Sequence, residues 1–278
     1  MKGLEFVYIP GGWGENDGAY NFMGMGFAKA DTKTRRQAWT RFPMPYTLIK
    51  HPTEGYIMYD VGMSLGEMTD SRPAEHRLIN PTIVTRQDFV DMQLKQLGLT
   101  PDDITAIILS HCHWDHMGGL EFFRGTKAFK NIYVSESDFE YGLKETHRTA
   151  KGWTAMNYYR DIMDIEGAEF TLLPDEDIEL FPGMHLIALP GHTPCVMGLR
   201  LELESSSYIL PSDACTAEIC LREPAVLPGS IYDSLGYMRS LNKLRILEQK
   251  HNAKLLFHHD PYNYTDYKMM QWIGDHTL

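Results

Sequence analysis

Residues 110–119 read SHCHWDHMGG and place three imidazoles and a carboxylate within six positions. In an extended segment, residues two apart point to the same side, so His111 and His113 can present both rings to one cation. Asp115 and His116 then offer an oxygen and a further nitrogen where the chain bends, and Gly118 and Gly119 allow close backbone approach just beyond. The pattern differs from HExxH, in which two histidines stand one helical turn apart. A purely structural role would bury several polar groups without partners, at considerable cost. The chemistry of such a donor set is metal binding.

A catalytic zinc keeps three protein ligands and leaves a position for water. Two such sites need six ligands, plus a bridging carboxylate if the ions sit about 3.5–4 Å apart. Three further segments can supply the balance: PGHTP with His192, LPSDAC with Asp213, and FHHDP with His258 and His259. Each follows an apolar run that reads as a strand, so every candidate ligand falls at the carboxyl end of a strand.

The elements that must position them can be read from periodicity and turn residues. LEFVYIP is a strand near the start, and Tyr46–Lys50 with Tyr56–Tyr59 is a hairpin across HPTEG. From about 16 to 45 the chain shows no clean period and reads as a long loop, at a substrate pocket or an interface. Thr85–Leu97 is a helical stripe stopped by Gly98, and Ile104–Leu109 is a strand covered on both faces. Asn131–Val134 leads into a helix capped by Ser135 or Ser137. Strands follow at Glu169–Leu173, Ile178–Leu180, His185–Leu189, Met197–Leu203 and Tyr208–Leu210, then a long helix over Ser230–Gln249 and a last strand at Lys254–Phe257. Strands group in both halves with helices after each group, which predicts an α+β fold: two β-sheets face to face, covered outside by helices. No repeat or linker divides residues 1–278, so one domain is expected.

Composition bounds the rest. A formal net charge of −11, with no Lys/Arg run, argues against a nucleic-acid partner. Cys112, Cys195, Cys215 and Cys220 have neither ribbon nor disulfide-scaffold spacing and read as buried thiols of a reducing compartment. The amino terminus reads as a strand, not a signal peptide, and no stretch is long enough to span a bilayer, so the expected location is cytoplasmic, with no membrane partner.

The HxHxDH pattern at His111, His113, Asp115 and His116 resembles the signature of the metallo-β-lactamase superfamily. The likeness continues through a DxG turn at Asp60–Gly62, GHTP around His192, Asp213, and the terminal histidine. Within the superfamily the chain looks most like the N-acyl-homoserine lactonase branch, because the last ligand precedes Asp260–Pro261 and the hairpin before Asp60 looks alike. The resemblance implies the αββα sandwich of two mixed sheets. It further implies that His111, His113 and His192 bind one divalent cation and Asp115, His116 and His259 a second, with Asp213 bridging. His259 is preferred to His258 because the family's terminal histidine is followed directly by Asp; His258 is then packed or solvated. Asp60 would orient a ligand.

On that pattern the expected reaction is hydrolysis of a lactone or related carboxylic ester by hydroxide held between the cations. Asp115 and Asp213 serve as catalytic carboxylates, and an N-acyl-homoserine lactone is the favoured single substrate. Zinc is the favoured metal, with manganese, iron and cobalt as alternatives. Other readings are a thioesterase, phosphodiesterase or β-lactamase on the same scaffold, an iron-dependent redox enzyme, or a metal-bearing module without turnover. A homodimer is a further expectation. The chain departs from the branch at two places: Thr216 stands where related lactonases commonly have a carbonyl-polarising tyrosine, and Cys195 where the family usually has glycine. Tyr20, Tyr262 and Tyr264 are candidates to replace that hydroxyl. The loop from Tyr20 to Phe27, with Trp153, Tyr158 and Tyr159, is a candidate apolar pocket lining.

Overall fold

A computed structural model describes residues 1–22, 30–31, 39–69, 72–152, 157–221 and 225–275. Residues 23–27 of the expected pocket loop, and Trp153, lie outside these.

The strands alternate which core they feed, and the alternation builds four layers. In one sheet the order is Trp272–Ile273, Glu5–Ile9, Tyr46–His51, Gly55–Tyr59, Ile104–Ile108, Ile132–Ser135, Phe170–Leu173. The first half of this sheet is antiparallel and the second half parallel. The second sheet runs Ile178–Phe181, Met184–Leu189, Val196–Glu202, Ser207–Leu210, Ala253–Leu255, with only the last pair parallel. Phe6, Tyr8, Ile57, Tyr59 and Ile108 pack between the sheets against Leu186, Met197, Leu199, Leu201 and Leu210. Their neighbours Val7, Ile9, Met58 and Ile107 point the other way, onto Leu94, Phe139 and other residues of the outer helices. On the far side, Ile187, Leu189, Val196 and Ile209 meet Tyr237, Leu241 and Leu244 of the helix Ser234–His251. The expected sandwich of two mixed sheets flanked by helices is what forms.

The caps follow local chemistry. Ser135 accepts the Asp138 N–H at the start of the helix Glu136–Arg148. Asp233 opens the long helix, and Asn252 closes it in the left-handed region at φ 46°. The stripe read at 85–97 is a short 3₁₀ turn at Arg86–Asp88 followed by the helix Val90–Gln96.

The segment read as one loop from 16 to 45 needs correction. Trp13–Asp17 and Trp39–Pro43 are paired antiparallel strands, extended by Thr82–Ile83 into a separate three-stranded sheet, and Gly18–Asn21 is a helical turn. Gly14, Asn16 and Asp17 are poor strand formers, so nothing local marks this strand; pairing with Trp39–Pro43 supplies it. None of the described helices is long and apolar enough to cross a membrane.

Candidate metal centre

Each expected ligand lies just beyond a strand end, where the two sheets meet. Asp60 follows Tyr59, and its N–H donates to Ile108 O at 2.9 Å. His111 follows the adjacent strand, and Met197 N–H donates to Ser110 O at 2.8 Å, tying this edge to the second sheet. The chain then turns into the short helix Trp114–Met117, which delivers Asp115 and His116. His192 follows Leu189, and Asp213 sits in a 3₁₀ turn after Leu210. The last strand ends at Leu255, so His258 and His259 reach the cluster from the turn beyond it. Gly191 makes the approach possible at φ 138°; a β-carbon there would lie 2.3 Å from Tyr237 N.

The seven residues converge. One group comprises His111, His113, His192 and Asp213, and another Asp115, His116 and His259; within each, the candidate ligand atoms lie within 4.8 Å of one another. Asp213 faces both groups: Oδ2 is 3.2 Å from His192 Nε2, while Oδ1 is 3.0 Å from His259 Nε2 and 3.5 Å from His116 Nε2. Asp115 Oδ2 lies 3.6 Å from His259 Nε2 and 3.7 Å from His116 Nε2. His192 Nε2 stands 3.2 Å from His113 Nδ1.

The ring nitrogens turned away from the cluster are held from behind. His111 Nδ1 meets Ser110 Oγ at 3.0 Å, His116 Nδ1 meets Asp60 Oδ2 at 2.8 Å, His192 Nδ1 meets Ser230 O at 3.2 Å, and His259 Nδ1 meets Pro43 O at 2.7 Å. The front atoms His111 Nε2, His116 Nε2 and Asp213 Oδ1 are buried with no hydrogen-bond partner. Buried orphans aimed at one another, with the His111 and His116 rings held from behind, are a donor set that could hold metal cations.

The electrostatics agree. Burial, reinforced by the neighbouring imidazoles, drives His111 and His113 well below the usual histidine range, so they are neutral donors. At His116, burial pulls downward but Asp115, Asp60 and Asp213 overcome it and raise the ring to about 10. Burial is likewise overcome at His259, mainly by Asp213. Asp213 itself resists burial because His259, His116 and His192 hold it well below the usual carboxylate range. The carboxylates demand positive charge, which divalent cations satisfy.

His258 proves packed rather than solvated. It is fully buried, with Nε2 3.6 Å from Asp60 Oδ2, and forms a third candidate group with Asp60 and His116. Asp60 is already engaged by Ser110 N–H at 2.7 Å, Ser110 O–H at 2.8 Å and His116, so it serves better as a holder than as a ligand. Burial drives His258 down to about 3 despite Asp60, leaving it neutral.

Among the replacement hydroxyls, Tyr20 is half-buried and accepts Asn157 Nδ2–H at 2.6 Å, and Asn157 O accepts Trp114 N–H at 3.3 Å, inside the ligand loop. Tyr262 is 61% exposed, and Tyr264 packs edge-on to Trp13 at 5.0 Å. Thr216 is buried, with its hydroxyl 3.5 Å from Cys220 Sγ. Tyr158 and Tyr159, expected to line a pocket, are instead packed: Tyr158 lies edge-on behind His113 at 4.7 Å, and Tyr159 lies beneath Arg72 and edge-on to His76. All four cysteines are free and buried. Sequence reasoning missed Ser110, Ser212, whose O–H donates to Ser110 Oγ at 2.9 Å, and the buried Asp138; isolated hydroxyls and a first-turn aspartate carry no pattern that announces them.

A four-layer sandwich with paired histidine–carboxylate groups at one edge defines a class of metal-binding protein. The profile described as the Metallo-beta-lactamase superfamily matches residues 39–261, and the chain belongs to that superfamily. It is 29% identical over 218 residues to the N-acyl homoserine lactonase AiiB of Agrobacterium fabrum, spanning 75% of this chain and 76% of that one. To the N-acyl homoserine lactonase AiiA of Bacillus thuringiensis subsp. kurstaki it is 30% identical over 216 residues, 74% of this chain and 77% of that one. A solved N-acyl homoserine lactone hydrolase, with the product N-hexanoyl-L-homoserine at its catalytic metal center, superposes with a TM-score of 0.80 at 22% identity. That match covers 98% of this chain and all of the other.

Proposed function

We propose that this chain is a dinuclear metal-dependent hydrolase that opens lactones, with N-acyl-homoserine lactones as the favoured substrates. His111, His113 and His192 hold one cation, Asp115, His116 and His259 the other, and Asp213 joins them. The observation that carries the reading is the division of Asp213, one oxygen turned to each histidine group. Zinc suits this mixture of imidazole and carboxylate donors. When bound, the two cations supply Lewis acidity and lower the pKa of water from about 16 to about 7.

The protein's own part is to aim and to exclude. Backing partners fix the imidazoles of His111, His116, His192 and His259, the buried surroundings strengthen every charge interaction inside, and no serine nucleophile is required. Asp115, the more open of the two carboxylates, carries a proton towards the leaving alkoxide. Four unpaired thiols fit a reducing cytoplasm.

Metal quantification and lactone hydrolysis, measured on one preparation, test the proposal. Two equivalents of zinc and ring opening that chelation abolishes are expected. Metal-replete protein that leaves lactones intact but cleaves thioesters, phosphodiesters or β-lactams would move the substrate class, and protein that retains no cation would end the reading.

A further inference from the structure

We propose that Asp138 is the positioning residue of the His111, His113 and His192 group, the counterpart of Asp60 behind His116. The inference rests on the reading of those three histidines as ligands of one cation.

Asp138 stands in the first turn of the helix Glu136–Arg148. A carboxylate there ordinarily faces solvent and complements the helix dipole. This one is fully buried and aims away from its own helix, into the back of the ligand loop. Its Oδ2 accepts the Cys112 N–H at 2.6 Å, and Cys112 is the residue between His111 and His113. Its Oδ1 accepts the Tyr158 O–H at 2.5 Å, and the Tyr158 ring stands edge-on to His113 at 4.7 Å. Thr193, which follows His192, is fully buried, and its hydroxyl adds a polar contact to the same carboxyl without closing a standard hydrogen bond.

One side chain therefore touches the backbone between two ligands, the ring packed on one of them, and the neighbour of the third. None of its contacts reaches His116 or His259. Burying a carboxylate is costly unless donors surround it, and here they are the backbone between His111 and His113 and the hydroxyl of the ring packed on His113. Asp60 shows the same device in the other group, reaching His116 Nδ1 directly and Ser110 through two hydrogen bonds. Each half of the site has its own buried carboxylate; Asp60 also reaches His111 Nδ1 through Ser110 Oγ, whereas the contacts of Asp138 stay in its own half.

The test uses ¹¹³Cd²⁺ as the probe. The two groups differ in donors: three imidazoles and the shared Asp213 in one, two imidazoles with Asp115 and Asp213 in the other. The wild type should show two cadmium resonances, with the nitrogen-rich one downfield. Asp138→Asn keeps the shape but replaces an acceptor oxygen by a donor. It should weaken cadmium at the nitrogen-rich site by about 10- to 100-fold while leaving the other resonance and its affinity in place. Tyr158→Phe keeps the ring on His113 and removes one hydrogen bond, so it should shift the same site in the same direction by a few-fold; it decides the matter if Asp138→Asn does not fold. Equal loss at both sites would mark Asp138 as a general structural residue, and unchanged affinity at both would deny it any role; either result overturns the inference. A wild type that binds fewer than two cations would overturn the parent reading instead, and that is visible before any variant is made.

Discussion

His116 Nδ1 lies 2.8 Å from Asp60 Oδ2, and both side chains are buried. The contact turns the Nε2 atom of the same ring forward, 3.5 Å from Asp213 Oδ1. Asp60 holds its place at φ 59°, an unfavourable conformation for a residue with a side chain, and is secured by the Ser110 backbone and hydroxyl. Strain kept beside a donor cluster marks a position fixed by the site and not by local preference.

Asp60→Asn should therefore loosen the second cation. An amide can accept from Ser110 but presents its other end to His116 as a donor, which favours the wrong tautomer. Affinity at the Asp115, His116 and His259 group should fall about 10- to 100-fold, with lactone turnover falling in step. Competition with a chromogenic chelator reads the affinity directly; a variant that holds both cations as tightly as the wild type would contradict the assignment.

Asp213 should be less forgiving, because both of its oxygens are in use. Asp213→Ala removes the group common to both halves and leaves facing imidazoles without their counter-charge. Retained metal should drop below two equivalents, and kcat should fall by about 10³-fold or more, the range for losing a main charge-stabilising group. Elemental analysis after gel filtration, beside turnover measured in excess zinc, separates lost metal from lost chemistry.

The sequence pointed to the seven residues that converge because strand alternation and a dense motif are local properties. His258 and His259 show how far this goes: they sit in a turn and not on the extended chain that alternation assumes, yet their rings part as expected, His258 meeting Asp60 and His259 meeting Asp213. The sheets were legible for the same reason, since Phe6, Tyr8 and Val7, Ile9 alternate between two cores. What lay hidden was tertiary. Asp138 reads as an ordinary first-turn acid until packing aims it at Cys112, and Trp13–Asp17 lacks strand-forming residues until Trp39–Pro43 pairs with it. Tyr158 looked like a pocket wall because an aromatic near a site is equally a lining or a buttress; its fully buried hydroxyl group on Asp138 decides for the second.

Gly191 should tolerate no side chain. At φ 138° an added β-carbon meets Tyr237 N at 2.3 Å and Tyr237 Cα at 2.4 Å, backbone atoms that cannot turn aside. Gly191→Ala should destabilise the fold by about 2–4 kcal/mol, lowering the melting temperature by roughly 5–15 °C. Because His192 is the next residue, cation affinity at its group should fall as well. Differential scanning calorimetry on the chelator-treated protein isolates the first effect from the second.

His76 gives the fold an acid-sensitive element outside the donor set. Burial first, and then Arg72, hold it down to about 4, and its ring packs edge-on to Trp114 and Tyr159. The folded value lies below the unfolded one of about 6.5, so the unfolded chain binds the proton more readily. The associated stability is complete above pH ~6.5, falls as pH drops towards 4, and levels off below; its full size is at most about 3 kcal/mol. His76→Phe keeps an aromatic ring in place without a titrating nitrogen. The difference in urea midpoint between wild type and variant should change across that window, whereas histidines common to both proteins cancel. A difference constant from pH 7 to 4 would exclude His76 as the source.

Tyr20→Phe addresses the hydroxyl that Thr216 does not supply. Burial raises the Tyr20 phenol, a polar contact with Ser230 and the hydrogen bond from Asn157 oppose the rise, and Asp115 and Asp213 add to it, so the group remains an O–H donor at neutral pH. Its partner Asn157 sits at φ 66° and binds the ligand loop at Trp114, which fixes the phenol relative to the metal centre. An O–H so placed can donate to a carbonyl oxygen as negative charge gathers on it, a contribution of about 1.5–3 kcal/mol when the acceptor becomes charged. The variant should lose roughly 10- to 100-fold in kcat, with KM and bound metal unchanged, because the interaction strengthens only as the reaction proceeds. Tyr262→Phe and Tyr264→Phe, one exposed and the other packed on Trp13, should behave as wild type. Full activity in Tyr20→Phe, or an equal loss in Tyr264→Phe, would reassign the role.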